Sequence, residues 1–194
     1  MTVVVGIHNP EIGTVIGSDR LAQWGERPFT TIEKTWRAKE WVIGHTGDLV
    51  VGQYVRNHGD FLVEHNSIGG VVLGLRTCAE KYGFLHPAKD DEPPTMGGNS
   101  FLVGHRTGLW MVGASFVVVP IPPMTPAAVG CGAELALGAA EVLMRLDYVR
   151  SQDAGRIVAQ AVEVASKYST ACGGGCDLHL APIIETAEKG DARV

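Results

Sequence analysis

The sequence predicts an α+β sandwich of four layers, in which two stacked antiparallel sheets carry a pair of helices on each outer face. Two observations lead there. The hydrophobic pattern runs through strands, two helices, strands, two helices and a last strand, and the strands fall into two sets with short turn-like connections. In addition, 194 residues with 45% hydrophobic and 19% charged side chains suffice for one substantial core. A single domain over residues 1–194 is therefore expected, with residues 186–194 as a frayed polar tail.

The elements follow in order. TVVVGI (Thr2 to Ile7) and TVIGS (Thr14 to Ser18) are β-rich runs joined by HNPEIG, whose Asn-Pro and Gly mark a turn. A polar connection, DRLAQWGERPFTTIE, leads to a second hairpin, KTWRA and WVIGHT, turning at Lys39 and Glu40 and expected beside the first. The run LVVGQYVRNHGDFLVEH then spaces Leu49, Val50, Gln53, Tyr54, Phe61 and Leu62 for a helical face, with Gly52 and Gly59 weakening it. Gly70 to Tyr82 is a second helix. The Pro-rich, charged stretch LHPAKDDEPPTMGGN has no periodicity and is expected to be a mobile loop.

A further hairpin, SFLVGH and LWMVGA around Arg106, Thr107 and Gly108, continues into FVVVPIP. After the turn from Gly130 to Gly132, Ala136, Ala139, Ala140, Leu143 and Met144 share one helical face. Asp153 is the expected N-cap of a second helix with Ile157, Val158, Ala161, Val164 and Ala165 inward. A triglycine then leads into the closing strand DLHLAPII.

Composition narrows the function. A net charge of −5 and a pI near 5.8 leave no basic footprint for nucleic acid. The apolar runs are too short to span a bilayer, and the N-terminus lacks a signal-peptide pattern, so a cytoplasmic protein without a membrane partner is expected. Four cysteines in a chain of this size fit reduced thiols. Cys172 and Cys176, with His179 nearby, have a spacing that a metal can use, but no second ligand pair completes a tetrahedral site. A tight glycine turn accounts for them better, and no metal or other cofactor is expected. The chain has no phosphate-binding loop and so is not itself an ATPase.

Thr2 stands directly behind Met1 and opens the first strand. If Met1 is removed, one residue carries both a hydroxyl nucleophile and an α-amine that titrates near pH ~8, a nucleophile and its base together. Three more segments bear on it. GTVIGSDRLA ends a strand in Asp19, IEKTWRAKEWVIGHTGDL contains Lys34 and Gly47, and AVGCGAELALGAAEVL holds Cys131 between two glycines ahead of a small-residue helix. Together with TVVVGI, these segments and the element order resemble the proteasome β-subunit family of N-terminal nucleophile hydrolases over nearly the whole chain. The start without a propeptide is similar to the bacterial proteasome-like proteases.

That resemblance implies roles. Thr2 matches the nucleophile, Asp19 the catalytic aspartate, Lys34 the catalytic lysine, and Gly47 the glycine whose N–H faces the oxyanion. Cys131 matches the serine of a Gly-Ser-Gly motif. The chemistry is coherent, since a lysine can lower the pKa of a nearby threonine hydroxyl while an aspartate holds that lysine charged and oriented. A backbone N–H ahead of a helix favours developing negative charge. Ala22, Ile32 and His45 match the substrate pocket, where His45 implies either a polar or acidic preference or a histidine satisfied by its neighbouring strand.

The chain also departs from the family pattern. YSTACGGG places Ser169 and Cys172 where the family has an aspartate and a serine, so any support they give Thr2 lacks a carboxylate. Two functions follow. One is a threonine-type peptidase hydrolysing peptides or unfolded proteins inside a homo-oligomeric ring or stacked rings, a reading that admits an ATPase unfoldase partner. The other is a catalytically silent or non-proteolytic relative, a structural ring subunit or an amidase of small amides.

Overall fold

The computed structural model describes residues 2–24, 27–29, 32–58, 67–87, 93–146 and 153–183. The first hairpin forms as expected from β1 (Val3–Asn9) and β2 (Gly13–Asp19). The polar connection after it contains a short hairpin that alternation did not predict, β3 (Ala22–Trp24) and β4 (Arg27–Phe29); strands of three residues are too short to show a period. β5 (Thr35–Ala38) and β6 (Trp41–Thr46) form the next hairpin around Lys39. It does not lie beside the first but belongs to the other sheet.

Helix α1 (Leu49–Asn57) is capped by Asp48, whose carboxylate accepts from the Val50 N–H at 2.9 Å. Its buried residues are Val51, Gly52 and Val55, while Val50 and Tyr54 are exposed, so its inward face is rotated from the expected one. The cause is a contact between elements: Gly52 packs against the His45 ring of β6, which favours this face. Phe61 and Leu62 lie outside the described residues. Helix α2 (Ile68–Lys81) follows, capped by Ser67. The described arms of the Pro-rich stretch are tied together by a bridge between His86 and Thr95, with Met96 fully buried beyond it. Residues 88–92 lie outside the description.

β7 (Ser100–His105), β8 (Gly108–Val112) and β9 (Val118–Ile121) extend the second sheet to the order β5-β6-β7-β8-β9. The next segment, β10 (Ala127–Gly130), is a strand missed in the sequence because its small residues blend into the helix that follows. It pairs with β1, placing Gly130 opposite Val3. Helix α3 (Ala133–Arg145) buries Ala136 and Ala140, with Ala139, Leu143 and Met144 packed at the margin. Helix α4 (Ala154–Tyr168) buries Val162 where Val164 was expected, and Asp153 makes no side-chain cap, pairing instead with Arg156. β11 (Cys176–Pro182) closes the first sheet in the order β10-β1-β2-β11. The expected tail, 186–194, lies outside the described residues.

The layers are those anticipated. Val3, Val5 and Ile7 face α3 and α4, whereas Ile43, Phe101 and Val103 face α1 and α2. Between the sheets lie Val4, Ile16, Val42, Leu102 and Leu109. This alternation puts Thr2 on the same side of β1 as Val4, looking toward the second sheet. The sheets meet closely at Gly44, where an added Cβ would stand 2.4 Å from Val4 Cγ1. Gly44→Val should therefore push the sheets apart and lower the stability of the fold by about 1–3 kcal/mol, read as an earlier midpoint in urea unfolding.

Candidate active site

The centre of the site is the carboxylate of Asp19, which is fully buried at the end of β2. Four donors surround it. Oδ1 accepts from the Val3 N–H and from Lys34 Nζ, both at 2.9 Å. Oδ2 accepts from the N–H groups of Gly173 at 3.1 Å and Leu21 at 3.2 Å. A buried charge is tolerated only when paired and hydrogen bonded, and Asp19 meets both conditions.

Each donor arrives on a different element. Val3 follows Thr2 at the start of β1, so the Asp19 bond fixes the backbone next to Thr2. Lys34 precedes β5 in the opposite sheet, is 5% exposed, and also donates to the Leu21 carbonyl. Gly173 belongs to the triglycine turn, and its carbonyl accepts in return from Arg20 and Leu21 at 2.9 and 2.8 Å. The loop after α4 thus folds around the end of β2. A further link between the sheets is the 3.2 Å hydrogen bond of the Ser18 and Thr35 hydroxyls.

Thr2 itself is 5% exposed. Its N–H donates to Cys131 Sγ at 3.1 Å, and the Cys131 thiol donates to the Thr2 carbonyl at 3.3 Å. The Gly132 N–H, at the start of α3, reaches the same carbonyl at 3.4 Å. Cys131 therefore brackets the nitrogen of Thr2 as a soft, weak partner where a hydroxyl would bond more strongly. Met1 lies outside the described residues.

The remaining candidates divide. Gly47 ends the segment after β6 with φ +126° and precedes the N-cap Asp48, at the positive end of α1. Ala22 is buried on β3, and Ile32 is half-buried with its N–H donating to the Arg20 carbonyl at 3.2 Å. His45 is buried, packs at a tilt against Phe101, and bonds through Nε2 to Asn99 Oδ1 at 2.9 Å. Burial pushes its pKa down to about 4. Its satisfied partner thus comes from the loop before β7.

Ser169 caps the C-terminus of α4, where its hydroxyl accepts from the Ala171 N–H at 3.2 Å. Cys172 is buried against Gly132, and burial, with the Asp19 charge beside it, pushes its thiol up to about 11. A neutral thiol there fills space between α4 and β1. Cys176 is likewise pushed up to about 11, first by burial and then by Asp177 and Asp19. Among the described residues no group of histidine, cysteine or acidic side chains could hold a metal ion. Gly173 and Asn99 were not singled out in the sequence. The first was hidden in a turn and the second ends a loop without periodicity.

Neither a protein-family model nor a curated protein sequence matches the chain. Solved structures do match its fold. Thiobacillus denitrificans BPH superposes with a TM-score of 0.76 at 17% identity, covering 95% of this chain and 100% of that one. BPH in complex with epoxomicin is matched as well. Eukaryotic HslV from Trypanosoma brucei follows with a TM-score of 0.65 at 18% identity, covering 91% and 97% of the two chains. The Anbu (Gly-1) mutant from Hyphomicrobium sp. strain MC1 has a TM-score of 0.68 at 14% identity over 93% and 81%. The four-layer sandwich is thus the fold of HslV and its proteasome-like neighbours.

Two outcomes are expected from the site's electrostatics. Asp19→Ala leaves the Lys34 ammonium without its carboxylate and should cost about 3–5 kcal/mol in denaturant unfolding, more than Asp19→Ala combined with Lys34→Met. His45 is the second. Its folded pKa lies below its unfolded value, so the unfolded chain binds more protons between pH 6.5 and about 4. Its contribution is complete above pH 6.5 and is lost as pH falls through that window, by roughly 3 kcal/mol at most. Unfolding midpoints measured across the window should show a smaller slope in His45→Gln.

Proposed function

We propose that this chain is a threonine-type peptidase whose nucleophile is Thr2 after removal of Met1. The observation that supports it most directly is the convergence on one buried carboxylate of the Lys34 ammonium and the backbone N–H that follows Thr2. In this reading Lys34 is the cation that serves the nucleophile. The α-amine of Thr2 takes the hydroxyl proton as Oγ1 attacks the carbonyl carbon, and returns it to the leaving amine; water then hydrolyses the ester by the same route. Lys34 lowers the cost of the developing alkoxide, Asp19 keeps Lys34 charged, and the Gly47 N–H receives the oxyanion. Cys131 steadies the α-amine. Ala22, Ile32 and His45 belong to the substrate side of this reading.

The substrate would be a peptide or an unfolded protein, cleaved within a homo-oligomeric ring that also admits an ATPase unfoldase as partner. Exposed apolar side chains on the outer helices, among them Leu73, Val142, Leu146 and Tyr168, suit such packing. No described helix is long and apolar enough to cross a membrane. The complex of BPH with epoxomicin makes a peptide epoxyketone the natural probe.

A second reading has its own observation. The Ser169 hydroxyl is engaged with the Ala171 N–H, and the Cys131 thiol lies on the Thr2 nitrogen where the family pattern has a serine hydroxyl. A weaker catalyst for small amides, or a silent subunit, is consistent with that. Intact mass and N-terminal sequencing of protein from its native host separate the readings. A peptidase should start at Thr2, form a large ring, take up one epoxyketone per chain and lose peptide hydrolysis by about 10³-fold or more in Thr2→Ala, with Thr2→Ser partly active. Met1 retained in every preparation would sink the hydrolase.

A further inference from the structure

A side chain outside the Asp19 cluster holds the turn that contains Gly47. The Asn99 amide, 5% exposed at the end of the loop before β7, is used on both sides. Its Nδ2 donates to the Met96 carbonyl at 2.5 Å, which fixes the amide's orientation. Its Oδ1 then accepts from the Asp48 N–H and from His45 Nε2, each at 2.9 Å. Since Oδ1 is an acceptor only, His45 carries its proton on Nε2.

These bonds determine where the neighbouring peptides point. The Asp48 N–H is turned toward Asn99, and Gly47 between them takes φ +126°, a conformation favourable only for glycine. Any Cβ at Gly47 would stand 2.4 Å from Asn99 Oδ1 and 2.8 Å from its Cα, so the amide lies flat against this residue. The Gly47 N–H faces the other way. In β6 the His45 N–H donates to the Lys34 carbonyl at 2.9 Å, and N–H groups two residues apart leave a strand on the same side. The Gly47 N–H therefore points to the Lys34 side, away from the β7 ladder.

We propose that Asn99, with His45 bonded behind it, is the positioning residue that clamps the Gly47–Asp48 peptide and, through the Gly47 φ, keeps the N–H of the preceding Thr46–Gly47 peptide aimed at the oxyanion. The inference rests on the reading of Gly47 as the oxyanion donor. It assigns His45 a part in that support, which a pocket wall does not require. A preset donor matters because its orientation is settled before charge develops, so little reorganisation is needed in the transition state. Asn99 touches neither substrate nor nucleophile in this scheme. It acts through two successive peptide planes that meet at the Gly47 Cα.

The test uses the mature full-length protein, a fluorogenic peptide amide and a peptide aldehyde, whose adduct with the threonine mimics the tetrahedral intermediate. In Asn99→Ala, kcat should fall by ~10-fold or more and the aldehyde Ki should rise in parallel, while KM stays within about threefold. Asn99→Gln keeps a neutral carboxamide with both an acceptor for the Asp48 N–H and a donor for the Met96 carbonyl and should recover part of kcat, which also covers an alanine variant that fails to fold. Unchanged kcat in Asn99→Ala, KM and Ki rising together, or equal losses in both variants would overturn the proposal. A crystal structure of Asn99→Ala reads the clamp without activity: Gly47 leaving the left-handed region supports it, and an unmoved Gly47 overturns it. If the parent protein shows no Thr2-dependent hydrolysis, the peptidase reading fails, and the crystallographic result still decides whether Asn99 holds the turn.

Discussion

The buried carboxylate of Asp19 is the constraint on which the molecule's arrangement depends. Taking such a charge out of water costs several kcal/mol, and the cost is offset only if donors reach it from all sides. Here they come from β1, from the segment after β2, from the chain ahead of β5 and from the turn ahead of β11. One side chain therefore specifies how both sheets and the last loop meet. A two-layer apolar core without it could slide by small amounts at little cost; a carboxylate with four short bonds could not.

Two kinds of position in the core have different jobs. On the outer faces, Val5, Ile7, Ile43 and Phe101 pack under helices in a way that tolerates exchange of one apolar side chain for another. Between the sheets, small residues let strands approach, and polar pairs such as Ser18 with Thr35 and Thr14 with the His105 carbonyl lock them laterally. The site sits at the end of this inner layer. Its rigidity is inherited from hydrogen bonds between layers more than from the helices outside.

The sandwich, its helix pairs and most strand limits were legible from long apolar periods or from apolar, β-branched and aromatic runs beside turn residues. β3, β4 and β10 were not, since three or four residues, several of them small, carry no period. The face of α1 was misjudged for a different reason: Gly52 against His45 is a contact between elements, and no periodicity within one helix encodes it. Thr2, Asp19, Lys34 and Cys131 were singled out through their motifs, and hydrogen bonds join Asp19 to Lys34 and to the Val3 N–H, and Thr2 to Cys131. Asn99 was not, because its importance comes from an amide aimed across a turn 51 residues away in sequence.

The separation of these groups along the chain also sets an order of events during synthesis. Thr2 contacts a residue 129 positions later, and Asp19 receives an N–H from 154 positions later. Neither contact exists while most of the chain is still on the ribosome, and at that stage the N-terminus is an unfolded, accessible strand. In the finished fold Thr2 is 5% exposed, between β10 and the triglycine turn. On the peptidase reading, an aminopeptidase that needs its substrate extended would therefore reach Met1 before α3, α4 and β11 emerge, and nascent-chain timing rather than the mature surface would set how many copies carry a free threonine.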